Sequence, residues 1–120
     1  MKLLVAGSRS FKDSASQSQV EHWLSNASYI LDRRVTEVIH GGARGIDTMA
    51  GQWAAYRDYT QTVYLPDWDR YGRSAGFRRN AAMVDACDAA IIVWDGQSKG
   101  TKHTLELIRA SHKPFVLVCP

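Results

Sequence analysis

The stretch Lys2-Leu3-Leu4-Val5-Ala6-Gly7-Ser8-Arg9-Ser10 sets a pattern that the chain repeats, because it joins a short apolar run to a glycine-bearing loop. The same order recurs in His40-Gly41-Gly42-Ala43-Arg44-Gly45-Ile46-Asp47 and in Asp95-Gly96-Gln97-Ser98-Lys99-Gly100-Thr101. We call residues 7–10, 41–45 and 96–101 loop 1, loop 2 and loop 3. Short apolar runs are typical of strands buried on both faces, and each loop leads into a segment with helical spacing.

Apolar runs and helical segments alternate along the whole chain. This pattern predicts strands at residues 2–6, 35–40, 62–65, 89–94 and 115–119. It predicts helices at residues 14–31, where Ser14 and Gln17 have the spacing of a capping box, and at residues 46–54, 74–87 and 104–111, with a loop at residues 66–73. We therefore expect an α/β protein with one domain over residues 1–120. Its fold would be a doubly wound, Rossmann-like parallel sheet with five strands in the order 3-2-1-4-5 and four helices.

The composition restricts the class of protein. A chain of 120 residues with 45% hydrophobic residues is long enough for one folded core. It contains no apolar run of about 18 residues that would cross a membrane. Cys87 and Cys119 are too few for a disulfide framework or a metal cluster, so we expect free thiols in a cytoplasmic protein without a bound metal. The net charge of +3 does not by itself indicate a nucleic-acid partner.

The predicted strand order brings the three loops together. Strands 1 and 4 would be neighbours at the switch point of the sheet, where a crevice opens beyond the carboxyl ends of the strands. Glycine lets the backbone approach an anion closely, and the N-terminus of a helix stabilises negative charge. Each loop also carries, within it or beside it, a cation together with a hydroxyl or a carboxylate. The sequence therefore predicts a site for a phosphate-bearing ligand, and we expect no cofactor.

The candidate ligand-binding residues lie in these loops and at the start of the third helix. They are Gly7, Ser8, Arg9, Ser10, Gly41, Gly42, Ala43, Arg44, Gly45, Asp47, Arg78, Arg79, Asn80, Asp95, Ser98, Lys99, Gly100 and Thr101. Alternatives stay open for two of them, since Asp47 either binds ribose hydroxyls or offsets a helix dipole, and Thr101 either binds phosphate or caps a helix. Successive helical residues point about 100° apart, so we expect only one of Arg78 and Arg79 to face the site.

Other residues near the loops have two interpretations each. Trp68 and Trp94 are candidates for stacking on a base, with core packing as the alternative for Trp94. His103 is a candidate proton donor, with a structural role as the alternative. Loop 1 does not have the G-x-G-x-x-G spacing, and His40 stands where an acidic residue would close strand 2, so we do not expect an ordinary NAD site.

Four stretches together resemble the YspA-type (YpsA-related) branch of the SLOG superfamily. They are Gly7-Ser8-Arg9, Gly41-Gly42-Ala43-Arg44-Gly45-Ile46-Asp47, Ala75-Gly76-Phe77-Arg78-Arg79-Asn80-x-x-Met83 and Gly96-x-Ser98-Lys99-Gly100-Thr101. The resemblance covers nearly the whole chain in the right order. The superfamily has a Rossmann-like fold and includes the cytokinin-activating LOG phosphoribohydrolases and the DprA/Smf DNA-processing proteins. The resemblance implies binding of a nucleotide or nucleotide-derived ligand.

A departure from the LOG pattern leaves enzymatic activity open. LOG enzymes pair an arginine in an Arg-Lys-x-x-Met stretch, which Arg79-Asn80-x-x-Met83 matches, with glutamates in a Gly-Thr-x-Glu-Glu stretch. Here the second stretch reads Gly100-Thr101-Lys102-His103-Thr104 and contains no carboxylate. For a hydrolase, the resemblance leaves Arg79 as a catalytic candidate, with His103 or Asp95 in place of the glutamate.

The leading hypothesis is a binding module that senses or sequesters a nucleotide, such as an ADP-ribose derivative or a cyclic signalling nucleotide. One alternative is a small N-glycosidase or phosphoribohydrolase acting on nucleoside monophosphates, and another is a single-stranded nucleic-acid-binding protein. No membrane partner is expected. LOG-type relatives are commonly dimers, and Trp23, Trp53 and Tyr56 give the first two helices more apolar surface than a small sheet needs. We therefore also expect a homo-oligomer.

Overall fold

The five strands form one all-parallel sheet in a computed structural model that describes all of residues 1–120. They are β1 (Lys2–Gly7), β2 (Glu37–His40), β3 (Thr60–Val63), β4 (Ala89–Val93) and β5 (Phe115–Val118). The helices are α1 (Ser14–Ser25), α2 (Ala27–Ile30), α3 (Ile46–Tyr56), α4 (Trp68–Tyr71), α5 (Ala75–Ala86) and α6 (Lys99–Ser111). The strand order is β3-β2-β1-β4-β5, which confirms the predicted fold.

β1 and β4 form the centre of the sheet, and their sequences explain why. All residues of β4 are buried, and residues 3–5 of β1 are wholly inaccessible to solvent. The two strands pair in parallel from Leu3 and Ala89 to Gly7 and Val93. A strand that is covered by helices on both faces must be apolar throughout, and these two runs meet that requirement.

Helices cover both faces of the sheet, so the chain has two core layers. α1 and α3 pack on the face that carries Leu3 and Val5, whereas α5 and α6 pack on the face that carries Leu4 and Ala6. This alternation follows from the two-residue period of a strand. These four long helices are the four that the sequence predicts, and α2 and α4 are additional single turns. None of the helices combines the length and the apolar character needed to cross a bilayer.

The first helix differs from its prediction at both ends. Its N-cap is Asp13, whose side chain accepts a hydrogen bond from the Ser16 N–H at 2.8 Å, so the predicted capping box of Ser14 and Gln17 is wrong. The helix ends at Ser25, well before residue 31. Asn26 ends it, because its side-chain amide donates to the carbonyl of His22 at 2.7 Å, and α2 begins as a separate turn.

The edge strand β3 lies two residues before its predicted position. It pairs with β2 from Glu37 and Thr60 to His40 and Val63, and β2 itself starts at Glu37 rather than at residue 35. The sequence of β3 is mostly polar because an edge strand has a neighbour on one side only and stays largely exposed. The prediction at residues 62–65 followed apolar side chains, which do not mark a strand of this kind.

Two helical starts were also missed. The predicted loop at residues 66–73 contains α4, which Asp67 caps by accepting a hydrogen bond from the Arg70 N–H at 3.1 Å, and then a 3-10 turn. The last helix begins at Lys99 and not at residue 104. Its cap is Ser98, whose hydroxyl accepts from the Thr101 N–H at 3.4 Å, so Thr101 lies inside the first turn and is not the cap.

Trp53 belongs to the core and not to the surface. Its side chain is only 8% exposed and packs edge-to-face on Tyr59 with ring centroids 5.3 Å apart. Trp23 is partly buried against the same core, and Tyr56 alone of the three aromatic residues stays largely exposed, at 84%. The apolar surface on which the expected homo-oligomer rests is therefore smaller than predicted, and the homo-oligomer stays a prediction.

Candidate functional site

The three loops meet at the carboxyl edge of β1, β2 and β4. Between them lies a cavity of about 350 Å³, which we call the loop cavity. Its lining residues are Ala6, Gly7, Arg9, Ser10, Ala43, Asp47, Arg79, Asn80, Met83, Asp95, Ser98, Gly100, Thr101 and Thr104. All three loops contribute to this lining. The structure therefore brings the loops around one space, at the switch point between β1 and β4.

Most of the candidate ligand-binding residues line the loop cavity, but several do not. The exceptions are Ser8, Gly41, Gly42, Arg44, Gly45, Arg78 and Lys99. Sequence reasoning did not select Ala6, Met83 and Thr104 as site residues. Helical spacing would have found two of these, because Met83 follows Arg79 by four positions and Thr104 follows Thr101 by three, and such residues share a helix face.

Ser8 ties loop 1 to loop 3. Its side chain is buried, and its Oγ accepts a hydrogen bond from the Asp95 N–H at 3.1 Å. The Ser8 N–H donates to the carbonyl of Val93 at 3.0 Å. The Ser8 Oγ also lies 3.5 Å from the Thr101 Oγ1. The hydroxyl that we expected to bind phosphate therefore holds two loops together and does not line the cavity.

Asp95 accepts hydrogen bonds that order the start of loop 3 and connect it to loop 1. Its Oδ1 accepts hydrogen bonds from the N–H groups of Gln97 at 2.9 Å and Ser98 at 2.8 Å, and its Oδ2 accepts from the Ser10 Oγ at 2.9 Å. These bonds, the one from the Ser98 N–H above all, lower the pKa of Asp95 to about 2. The carboxylate is therefore ionised at neutral pH, which does not suit it to donate a proton as a general acid.

We expect the contribution of Asp95 to stability to depend on pH in the acid range. A carboxyl whose pKa is lower in the folded state stabilises the protein above its unfolded value of 3.8 and loses that contribution as the pH falls towards about 2. The difference in thermal unfolding midpoint between wild type and Asp95→Asn should therefore shrink as the pH is lowered through this window. Glu21→Gln, at an exposed carboxylate within α1 that accepts no hydrogen bond, controls for the loss of negative charge. A difference that stayed constant with pH would contradict the prediction.

Asp47 and Arg79 hold the Gly41 peptide from two directions. The Asp47 Oδ2 accepts hydrogen bonds from the N–H groups of Gly41 and Ala43, both at 3.1 Å. The Arg79 Nη1 donates to the carbonyl of Gly41 at 2.8 Å and to that of Tyr64 at 3.2 Å. A Cβ on Gly41 would lie 3.0 Å from the Asp47 Oδ2 and 2.9 Å from the Arg79 Cζ. A larger residue at position 41 would therefore displace the ends of both side chains from their hydrogen bonds, whereas glycine allows both to approach.

The charged groups of Asp47 and Arg79 are partly buried. Burial raises the pKa of the Asp47 carboxyl, although the hydrogen bond from the Ala43 N–H and the charge of Arg79 act in the opposite direction. Burial also lowers the pKa of Arg79, against the effect of the Asp47 charge. Each charge therefore makes the burial of the other more favourable. Asp47 lies in the first turn of α3, as the helix-dipole interpretation requires, and it also lines the loop cavity, so contact with a ligand stays a prediction. Its carboxylate has a third role that the sequence did not suggest, because its two hydrogen bonds shape loop 2.

His40 gives loop 2 a further support that the sequence did not suggest. Its Nδ1 accepts a hydrogen bond from the Gly42 N–H at 3.1 Å, and its Nε2 lies 3.4 Å from the Gln61 Oε1 on β3. The Gly42 bond requires a lone pair on Nδ1, so the neutral ring carries its proton on Nε2 and can donate it to Gln61. The ring therefore connects loop 2 to the edge strand.

The start of α6 is braced by residues that were candidates for ligand contact or catalysis. The Asn80 Nδ2 donates to the carbonyl of Gly100 at 3.4 Å and lies 3.3 Å from the His103 Nδ1. His103 does not line the loop cavity, and its ring packs on Phe77 with centroids 4.4 Å apart. The Trp94 Nε1 donates to the carbonyl of Ser98 at 3.1 Å while its ring packs against the core. These contacts favour the structural interpretation of both His103 and Trp94.

Arg9 is the cation of the loop cavity that is free to meet a ligand. It is exposed, lines the cavity, and forms no hydrogen bond or salt bridge within the chain. Arg78 points elsewhere, because its guanidinium lies 4.5 Å from the Tyr71 ring and its Nε donates to the Ser74 Oγ at 3.1 Å. Arg79 therefore faces the cavity and Arg78 does not, which agrees with their positions on the helix.

A second depression adjoins the loop cavity and is lined partly by apolar and aromatic side chains. We call this depression of about 330 Å³ the aromatic groove. Its lining residues are Arg9, Gly41, Gly42, Ala43, Leu65, Pro66, Trp68, Gly76, Phe77, Arg79, Asn80 and Gly100. Leu65, Trp68 and Phe77 are 71%, 57% and 51% exposed, which is high for large apolar side chains. Of these three, the sequence suggested only Trp68 for contact with a ligand.

The chain belongs to the family described as "YspA, cpYpsA-related SLOG family", which matches residues 1–71. The matched residues contain loops 1 and 2, and the membership confirms the resemblance seen in the sequence. The "Gene 61 protein" of Mycobacterium phage D29 is similar along its whole length. It is 32% identical over 122 residues, which cover 96% of this chain and 94% of the phage protein.

A solved structure shares the fold. The DNA processing protein A (DprA) of Streptococcus pneumoniae superposes with a TM-score of 0.75 over 97% of this chain, at 18% sequence identity. The chain spans about half of the DprA chain, 49% of its length. A likeness at this level of identity concerns the arrangement of strands and helices and not the residues of the site.

Proposed function

We propose that this chain binds a nucleotide or nucleotide-derived ligand through a phosphate group in the loop cavity, and that it acts as a sensor or a sequestering module. The observation that carries the proposal is that three glycine loops, braced by Ser8, Asp47 and Asp95, surround one cavity into which Arg9 brings a free positive charge. A fixed cradle with an unpaired guanidinium suits a phosphate. An ADP-ribose derivative or a cyclic signalling nucleotide is the ligand class that we propose.

The carboxylates near the cavity support binding without turnover. Asp95 has a pKa of about 2, and Asp47 is occupied by two backbone N–H groups. Glu106 is exposed and does not line the cavity. Glycoside hydrolysis ordinarily uses a pair of carboxyl groups, one of which is held protonated to act as an acid. Burial raises the pKa of Asp47 alone among the carboxyl groups that line the cavity, and Asp47 already accepts two backbone hydrogen bonds, so it has no second carboxyl group suited to complete such a pair. The phosphoribohydrolase is therefore the less supported alternative.

A ligand panel tests the proposal. Nucleoside monophosphates, ADP-ribose, cyclic nucleotides and ribose 5-phosphate would be added separately, and the thermal midpoint measured. A ligand at 100 times its dissociation constant adds about 2.7 kcal/mol of stability, which raises the midpoint of a domain of this size by about 10 °C. Mass spectrometry of the recovered ligand distinguishes an intact nucleotide from a released base. No shift with any phosphate compound at millimolar concentration would contradict the proposal.

His103→Gln separates a binding module from a hydrolase. Because His103 lies outside the loop cavity and bonds to Asn80, we expect this change to alter nucleotide affinity by less than about threefold, a difference worth under 1 kcal/mol. We also expect wild type and variant alike to return the nucleotide intact. A wild-type hydrolysis rate that fell about 10²–10⁴-fold in the variant, with binding unchanged, would instead make His103 a general acid.

A basic hollow beside loop 1 favours single-stranded nucleic acid as the second candidate. Its lining residues are Arg9, Lys12, Gly42, Ala43 and Arg44, and three of these five are cations. A phosphate chain that left the loop cavity would meet these cations. Binding of an oligonucleotide would fall steeply with salt, in proportion to the number of phosphates contacted, whereas a mononucleotide would show a shallow dependence. The fold that the chain shares with DprA, a DNA processing protein by its name, is compatible with this candidate.

A further inference from the structure

The aromatic groove and the loop cavity adjoin each other. Five residues line both of them, namely Arg9, Ala43, Arg79, Asn80 and Gly100. The two spaces differ in character, because the loop cavity is lined mostly by polar groups while the groove adds Leu65, Pro66, Trp68 and Phe77. A ligand that fills both must therefore carry an anionic part and a flat apolar part, joined by a short linker.

Trp68 is held in a defined position and its ring is free. Trp68 is the first residue of α4, the turn that Asp67 caps. Its ring reaches across the start of α5, because the indole Cη2 would lie 3.7 Å from a Cβ built on Gly76. No aromatic or cationic side chain of the chain contacts the indole. Phe77 packs on the His103 ring and still remains half exposed. Exposed aromatic rings at a cavity mouth are available for stacking.

We propose that the aromatic groove takes the base of the nucleotide whose phosphate occupies the loop cavity, stacked on Trp68 and Phe77. This inference rests on the proposed function and adds the subsite that recognises the base, so that a bare sugar phosphate is a poor substitute for the nucleotide. Stacking tolerates different bases because every base presents a flat π-face. The groove therefore supplies affinity for the base, while the loop cavity supplies affinity for the phosphate.

The test compares a sugar phosphate that has no base with four nucleotides that carry one. Ribose 5-phosphate and the 5′-monophosphates of adenosine, guanosine, cytidine and uridine would be titrated into wild type and variants by calorimetry. We expect Trp68→Ala to weaken nucleotide binding about 5- to 100-fold and to leave ribose 5-phosphate binding unchanged. Phe77→Ala should act in the same direction, and Trp68→Phe should restore most of the loss. Tyr56→Ala is the matched control, because Tyr56 is 84% exposed but does not line the groove.

The outcomes of this test distinguish a failure of the base subsite from a failure of the proposed function. If ribose 5-phosphate and the nucleotides bind wild type with equal affinity, the base subsite is wrong although the phosphate site stands. If neither these compounds nor the ADP-ribose and cyclic nucleotides of the ligand panel bind, both are wrong. If light scattering shows that Trp68→Ala dissociates a dimer without changing the preference for nucleotides, the groove is a contact between copies of the chain and the inference is overturned.

Discussion

Arg9→Ala is expected to weaken the binding of a phosphate-bearing ligand about ten- to hundredfold without lowering the stability of the protein. A hydrogen bond from a charged group contributes about 1.5–3 kcal/mol, which corresponds to this loss of affinity. Arg9 makes no hydrogen bond or salt bridge inside the chain, so its removal leaves no buried group without a partner. Calorimetric titration of the ligand found by the panel, together with thermal unfolding, measures both effects.

Arg57→Ala and Arg109→Ala are the controls for Arg9. Both side chains are exposed and line neither the loop cavity nor the aromatic groove, and each substitution removes the same unit of charge. Their effect on affinity should be small and should vanish at high salt, since charges further apart than a Debye length are screened. Equal losses of affinity in all three variants would mean that the ligand is attracted by overall charge and not by the loop cavity.

Arg79→Ala is expected to lower the free energy of unfolding by about 2–4 kcal/mol and to weaken ligand binding at least about tenfold. The side chain donates hydrogen bonds to the carbonyls of Gly41 and Tyr64 and to the Asn80 Oδ1, and its loss leaves these acceptors without their donor. It also leaves the buried Asp47 carboxylate without the nearby positive charge. Chemical denaturation and ligand titration of the same preparation measure the two effects separately.

The neighbouring arginine provides the control for this effect. Arg78→Ala removes the same side chain one position earlier, where it bonds only to Ser74 and lies over Tyr71, so the loss of stability should stay below about 1 kcal/mol. Arg79→Lys keeps the charge but cannot reproduce three hydrogen bonds from one planar group, and we expect it to recover little of the stability. Full recovery of stability by lysine would show that only the positive charge of residue 79 is needed, and not its three hydrogen bonds.

The fold could be predicted from the sequence because its central strands have no other interpretation. The apolar runs that became β1 and β4 are too short for helices and too apolar for an exposed edge, and the handedness of crossover connections restricts the order of the remaining strands. The elements that were misplaced are those in which local polar contacts decide the boundary. β3 is a polar edge strand, α4 begins where Asp67 caps it, and α6 begins where Ser98 caps it.

That the three loops would surround one cavity was predictable from the sequence, but the contacts of each residue around it were not. The strand order alone brings the loops together. Whether Ser8, Asp47 or Asn80 faces a ligand or a backbone group depends on which polar atoms meet after the loops close, and spacing in the sequence carries no information on that. Residues of the types that bind phosphate here largely satisfy one another. The aromatic groove was missed for a similar reason, since Leu65 and Phe77 read as core residues until their exposure is known.

The hydrogen bonds of Asp47 and Arg79 to the backbone of Gly41 have a consequence for ligand binding. With its backbone held from both sides, loop 2 is already in shape before any ligand arrives, so little conformational entropy is lost there on binding. If the chain acts as the sensor proposed above, a partner would therefore not recognise the bound state by the folding of loop 2. It would recognise a change of surface, because a bound phosphate covers the cavity mouth and neutralises the charge of Arg9.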